Sequence, residues 1–206
     1  MVAIRSLKEK ITSTSTGVQD YYVNSIRETY SDLRSFAFMF EINSRHYPID
    51  ERINVPTDLS LSSIRRSNDS ALSKGIIISN SNNIPGHEIL IVREKLGEFK
   101  FRTEYHFIYD SLMLKRITER YSEIKQREKI LSIICSKYKV PPRSSDFALM
   151  DQYGNKLLVV SQAQFSASFV PLNRKFYQHY SDAVVRKRET QMHSEQLLYK
   201  QIEKLF

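Results

Sequence analysis

The residues best equipped for chemistry lie in one run, Glu98–Tyr109, where Arg102, Glu104 and His106 alternate with aromatic side chains. A histidine flanked by a carboxylate and a guanidinium has the parts of a general acid–base group. A solvated strand face of mixed charge has the same composition, and that is the expectation adopted for these three. The other histidines, His46, His87, His179 and His193, form no i, i+4 pair, and there is no HExxH. Cys135 is the single cysteine, so neither an internal disulfide nor a cysteine-rich zinc site can form. No GxGxxG, GxxxxGK[ST] or Gly-x-Ser-x-Gly occurs, which removes the familiar phosphate loops and the nucleophile elbow. Glu119, Glu123 and Arg127 have the spacing of ordinary helical ion pairs. No catalytic residue, cofactor or metal is therefore expected.

Binding chemistry has more support. Lys+Arg number 31 against 23 Asp+Glu, giving a net charge of +8 and a pI near 9.5. Such an excess suits a polyanionic partner, either nucleic acid or an acidic protein or membrane surface. The candidate residues for it are Arg65 and Arg66, Arg174 and Lys175, and Arg186, Lys187 and Arg188. Basic side chains on helices contact phosphates without reading sequence. Acidic residues are interleaved, however, and no zinc finger, RNP1-like stretch or helix-turn-helix accompanies them. A second set, Leu197, Leu198, Ile202, Leu205 and Phe206, gathers apolar anchors at the end of the chain, the side-chain types that dock on a protein partner or a second copy.

The elements that must position these residues follow from periodicity. In Glu98–Tyr109 strict alternation puts Phe99, Phe101, Thr103, Tyr105, Phe107 and Tyr109 on one strand face and the charges on the other. That predicts a strand of an antiparallel sheet, packed on its aromatic side and wet on its charged side. Ile89–Val92 supplies its partner, and Gly97 in Lys95-Leu96-Gly97 makes the connection. Asp110-Ser111 reads as an N-cap. From it Leu114, Ile117, Tyr121, Ile124, Leu131, Cys135 and Tyr138 form one stripe of a long central helix, closed by Pro141-Pro142.

Elsewhere, residues 3–12 and then Val18–Leu33 read as N-terminal helices, and Phe36–Ile42 as a strand. Residues 43–74, with Pro48, Pro56 and many serines, read as a mobile basic loop with a short helix around Asp58–Ile64. Ile76–Ile78 is a short strand. Asp146–Met150, Lys156–Ser161 and Gln164–Val170 form a meander. Asn173–Phe206 reads as a long C-terminal helix, apolar at both ends and polar between. Phe147–Phe169 has a slight likeness to the closing strands of chorismate-lyase-like sensor domains, in its strand, Asp-x-x-Gly turn and valine-rich strand. No specific motif carries that likeness, and it identifies no family.

The expected fold is α+β: an antiparallel sheet of about five to seven strands with an N-terminal helix, a long central helix and a long C-terminal helix. Residues 1–171 form the core domain and 172–206 a docking extension. The expected function is that of a non-enzymatic structural or assembly component, a protein–protein interaction subunit that meets a protein partner or its own copy through the C-terminal helix. A basic protein bound non-specifically to nucleic-acid phosphates is the first alternative. A small-molecule sensor with a cavity behind Phe99–Phe107 is the second. No run approaches the ~18 apolar residues of a membrane span. The lone cysteine and the absence of a signal-peptide core fit a soluble protein of a reducing, cytoplasmic compartment.

Overall fold

A computed structural model describes residues 16–36, 46–56, 59–66, 72, 75–119, 123–144, 146–161, 164–172 and 182. Their elements in chain order are helix α1 (Thr16–Thr29), a 3₁₀ turn (Leu33–Phe36), β1 (His46–Ile49), α2 (Leu61–Arg66), β2 (Ile76–Ser79), β3 (His87–Leu96), β4 (Phe99–Ile108), β5 (Ser111–Glu119), α3 (Ile124–Lys137), β6 (Phe147–Asp151), β7 (Lys156–Val160) and β8 (Ser166–Val170). The eight strands form one mixed sheet in the order β1-β6-β7-β8-β5-β4-β3-β2. β1 runs parallel to β6, and every other neighbour is antiparallel.

The hairpin β3–β4 forms as its alternation predicts. Leu96 pairs with Phe99 across a two-residue loop, and Gly97 there has φ +61°, the conformation that a II′-type hairpin asks of its first loop residue. The meander β6–β7–β8 also stands where expected. Its first turn is built on Asp151. Asp151 accepts from the backbone N–H groups of Tyr153 and Asn155 and from the Asn155 amide, and it reaches across to the Ile53 N–H at 2.9 Å.

The fold class expected from the sequence is corrected at three points. First, Ser111–Glu119 is strand β5, and the central helix is only the 14 residues Ile124–Lys137. Asp110 caps no helix there. Tyr109 and Asp110 both have positive φ, 47° and 67°, and make the two-residue turn between β4 and β5. Leu112, Met113 and Leu114 are buried in succession because the sheet is covered on both faces and a β-bulge at Met113, opposite His106 and Phe107, puts Met113 and Leu114 on the same face, so the strand loses its alternation. The chance spacing of Leu114, Ile117 and Ile124 then imitates a helical stripe. Second, the sheet has eight strands and is mixed, since β1 adds to it in parallel. Third, no long C-terminal helix stands among the described residues; nearly all of 172–206 lies outside them. So do residues 3–12 and 37–45, while Phe36 belongs to a 3₁₀ turn.

The described part of 43–74 carries β1 and α2 and sends Ile49, Ile53, Val55, Leu61 and Ile64 into the interior. These branched residues sit between prolines and serines, so no window long enough for a periodicity exists. With α3 (Ile130, Leu131, Cys135) they cover the aromatic face of the sheet, termed face I, against Leu90, Val92, Phe107, Leu112, Leu149, Leu157 and Val159. On the other side, face II, Ile26, Tyr30 and Phe36 lie over Ile89, Ile91, Ile108, Met113, Leu114, Leu158 and Val170.

Candidate functional site

Face II carries the charged alternation of β4, and the register arranges it in rows. Arg93, Arg102, Thr118, Ser166 and Val160 lie in line across β3, β4, β5, β8 and β7. The next row holds Ile91, Glu104, Arg116, Ser168 and Leu158, and the one after it Ile89, His106 and Leu114. Instead of facing water, Glu104 and His106 are 1% and 0% exposed. The wet face expected for them is thus a second interior, because α1 and the 3₁₀ turn close over it.

Local capping holds that cover in place. The last turn of α1 leaves carbonyls without intrahelical partners. Asn83 donates its amide to the Arg27 carbonyl at 3.2 Å and Asn80 to the Tyr30 carbonyl at 2.8 Å, both from the turn between β2 and β3. Arg27 returns the contact, donating to the Ser79 carbonyl. Tyr30 and Phe36 stack at 5.2 Å, and each meets the imidazoles of His87 and His106 edge-on. The two imidazoles lie nearly parallel, 5.4 Å apart.

The polar atoms beneath form a chain with one consistent proton order. Asn80 Nδ2 donates to the Tyr30 carbonyl, which settles its amide orientation. Its second hydrogen then serves His87 Nδ1 at 3.0 Å. Nδ1 is therefore an acceptor, and neutral His87 carries its proton on Nε2, aimed at His106 Nδ1 at 3.2 Å. His106 in turn carries its proton on Nε2, 3.4 Å from Glu104 Oε2, an electrostatic contact rather than an aligned hydrogen bond. The Tyr30 hydroxyl donates to the same oxygen at 2.7 Å, and Arg116 Nη1 donates to the Tyr30 hydroxyl oxygen at 3.4 Å. Arg102 Nε approaches Glu104 Oε1 to 3.0 Å, off the N–H direction, so that contact is an ion pair rather than an aligned hydrogen bond.

Protonation follows from this environment. Burial lowers His87 from 6.5 to about 3, helped by the neighbouring His106. Burial also lowers His106, against the upward pull of Glu104. Burial pushes Glu104 up, but His106, Arg102 and the Tyr30 hydroxyl outweigh it and hold the carboxyl at about 2. Burial, then the Glu104 charge, raises Tyr30 well above its ordinary 10. At neutral pH the site therefore contains two neutral histidines, one carboxylate and one neutral phenol.

This order limits the chemistry. Each imidazole nitrogen already faces a neighbour within the chain, so none is presented to a metal, and no metal-binding group of three such side chains occurs among the described residues. A proton could pass from His87 toward Glu104, yet none of these side chains is open to a substrate. The chain locks α1 to the sheet. Openness returns one row away, where Arg102 is part-exposed and Arg93, Lys95 and Lys100 are exposed.

Of the basic residues singled out in the sequence, Arg65 pairs with Glu88 at 2.9 Å and Arg66 bonds back to the Ser62 carbonyl. Both lie on α2, which packs on face I, away from the face II cluster. Arg174, Lys175, Arg186, Lys187, Arg188, Leu197, Leu198, Ile202, Leu205 and Phe206 lie outside the described residues. The residues not anticipated are Tyr30, His87, Asn80 and Arg116. A signal for His87 existed: once Leu96 is set opposite Phe99, His87 falls opposite Ile108 and diagonal to His106. Tyr30 and Arg116 had none, because one arrives on a remote helix and the other sat in a segment with a helical spacing. Comparison with protein-family models, curated proteins and solved structures finds no match for this chain in any of the three.

Proposed function

We propose that the chain is a non-enzymatic interaction subunit, assembling with a protein partner or with its own copy. The observation that supports this most is the sheet edge. β2 is the terminal strand, only four residues long, with Ile76 and Ile77 38% and 39% exposed on opposite faces. Among the described residues no strand pairs with its outer side, where Arg27 meets only the Ser79 carbonyl, and such an edge with apolar side chains is a template for strand addition. The sealed His87–His106–Glu104 chain agrees, since it serves the scaffold. Among the described residues no helix is long and apolar enough to cross a membrane. Light scattering after size exclusion tests the reading, alone and with co-purified host proteins. Ile77→Lys, and separately removal of Met192–Phe206, are expected to dissociate a complex present in the parent chain. A parent that is monomeric and binds no protein, or a complex untouched by both changes, defeats the proposal.

Association with nucleic-acid phosphates stands as a second reading for one reason. Arg93 pairs directly with Arg102 and Lys95 with Lys100 across the β3–β4 hairpin, on the same face. Arg102 already pairs with Glu104, but Lys95 and Lys100 are both exposed; like charges placed opposite one another destabilise a ladder, and a polyanion along the hairpin relieves them. Binding of generic DNA or RNA should then weaken steeply with salt and further in Lys95→Ala/Lys100→Ala. Absence of retardation at low salt removes this reading.

A further inference from the structure

We propose that the middle of the row Arg102–Thr118–Ser166, with Arg116 from the adjoining row, is a binding site for one small oxyanion, the phosphoryl or carboxylate group of a small molecule. The case starts from a charge without a counter-charge. Arg116 lies opposite Glu104 in the β4–β5 ladder, but no carboxylate comes within ion-pairing distance of it among the described residues. Its hydrogen bond is the long one to the Tyr30 hydroxyl, and its Nε is buried with no acceptor. Arg102 Nε likewise lacks an aligned acceptor, since Glu104 Oε1 stands off its N–H direction. Thr118 is 4% exposed, and its hydroxyl has no hydrogen-bond partner among the described residues. Two donors, Arg116 Nε and the Thr118 hydroxyl, are thus withdrawn from water and unanswered among the described residues, beside a third, Arg102 Nε, whose ion pair with Glu104 Oε1 is misaligned. Unpaired polar groups in such places are costly, and each calls for an explanation.

An anion supplies that explanation. Among the described residues Glu104 is the one carboxylate facing Arg102 and Arg116, and it already accepts from Tyr30 and lies beside His106. A guanidinium offers a planar fork that matches an oxyanion, and a threonine hydroxyl beside it adds a neutral donor. Ser166 and Ser168 bring two more buried hydroxyls opposite Thr118 and Arg116. The row opens at its ends, where the Arg102 side chain is 35% exposed and Val160 is 42% exposed. The part-exposed Arg102 and the exposed Arg93, Lys95 and Lys100 around it lead a negative charge toward the row. A centre this buried, with Thr118, Ser166 and Ser168 at 4–6% exposure, fits a terminal oxyanion group better than a continuous phosphate backbone. This site stands apart from the assembly reading, since it uses the centre of face II rather than the edge strand.

Thermal unfolding of the full chain tests the site, in sodium phosphate, sodium succinate and sodium chloride at matched ionic strength. Phosphate or succinate at ten times its Kd should raise Tm by about 3–6 °C above chloride. The larger shift assigns the phosphoryl or the carboxylate class, and either supports the site. Arg116→Met should abolish the shift. Thr118→Val, nearly isosteric, should keep the Tm in chloride and at least halve the shift, and it carries the test alone if Arg116→Met does not fold. Equal Tm in all three salts overturns the proposal, as does a shift that survives both substitutions. A 5′-hydroxyl oligonucleotide that reproduces the shift with the same dependence on Arg116 and Thr118 also overturns it, assigning the row to backbone binding.

Discussion

Glu104→Ala is expected to lower the free energy of unfolding by about 3–5 kcal/mol, the range for removing one partner of a buried ionic network. The carboxylate is the acceptor on which the face II chain ends. Without it the Tyr30 hydroxyl, the His106 Nε2 proton and the Arg102 charge lose their common partner inside the fold. Each group left unsatisfied carries its own desolvation cost of about 1–3 kcal/mol. Tyr30→Phe should cost less, about 1–2 kcal/mol, because it removes a donor and leaves Glu104 with Arg102 and His106. The two effects should be non-additive, since both changes cut the same hydrogen bond. Urea unfolding of the two single variants and the double variant measures this. A Glu104→Ala loss below about 1 kcal/mol would show that water replaces the carboxylate and that the chain does not lock α1 to the sheet.

Acid is expected to unfold the protein through the same residues. His87 titrates at 6.5 in an unfolded chain and at about 3 when folded. Between those values the unfolded state binds the proton and the folded state does not. Stability is therefore complete above about pH 6.5 and falls as the pH drops toward 3, by up to about 1.4 kcal/mol per pH unit for each such histidine. By pH 5 His87 alone removes about 2 kcal/mol. His106 is shifted in the same direction and adds to the loss. Glu104, held at about 2 against an ordinary 4.5, steepens the decline below pH 4.5 because the unfolded chain then takes up its proton as well. Urea midpoints at pH 7.5, 6, 5 and 4 should fall progressively, and His87→Gln should flatten the upper part of that curve. Constant midpoints from pH 7.5 to 5 would mean that the folded site accepts the protons.

Both expectations rest on residues that local pattern could place on a strand but not in an environment. The alternation of Glu98–Tyr109 establishes a strand, and Gly97 establishes its hairpin, because both signals are contained within a dozen neighbouring residues. The meander from Phe147 to Val170 was legible for the same reason. Which strand face meets water is a different question. Face II is dry because Ile26, Tyr30 and Phe36 descend on it from more than 60 residues upstream, held by Asn80 and Asn83. Charged residues in alternation look the same in sequence whether water or a helix lies over them.

The remaining differences have the same origin. β5 read as the start of a helix because burial on both faces and the bulge at Met113 erased the period of two, leaving Leu114 and Ile117 at a helical interval. β1 was hidden because a parallel edge strand is defined by its partner, β6, a hundred residues away. By itself the sequence determined the hairpin, the meander and the basic charge, whereas the single long helix expected from Ser111 to Tyr138 is strand β5 followed by the shorter helix Ile124–Lys137. Only the tertiary structure decided that Arg102, Glu104 and His106 belong to an interior, that His87 and Tyr30 complete their hydrogen bonds, and that Arg116 stands beside them with no counter-charge among the described residues. Pairing and desolvation depend on what non-local segments bring, and no local period encodes them.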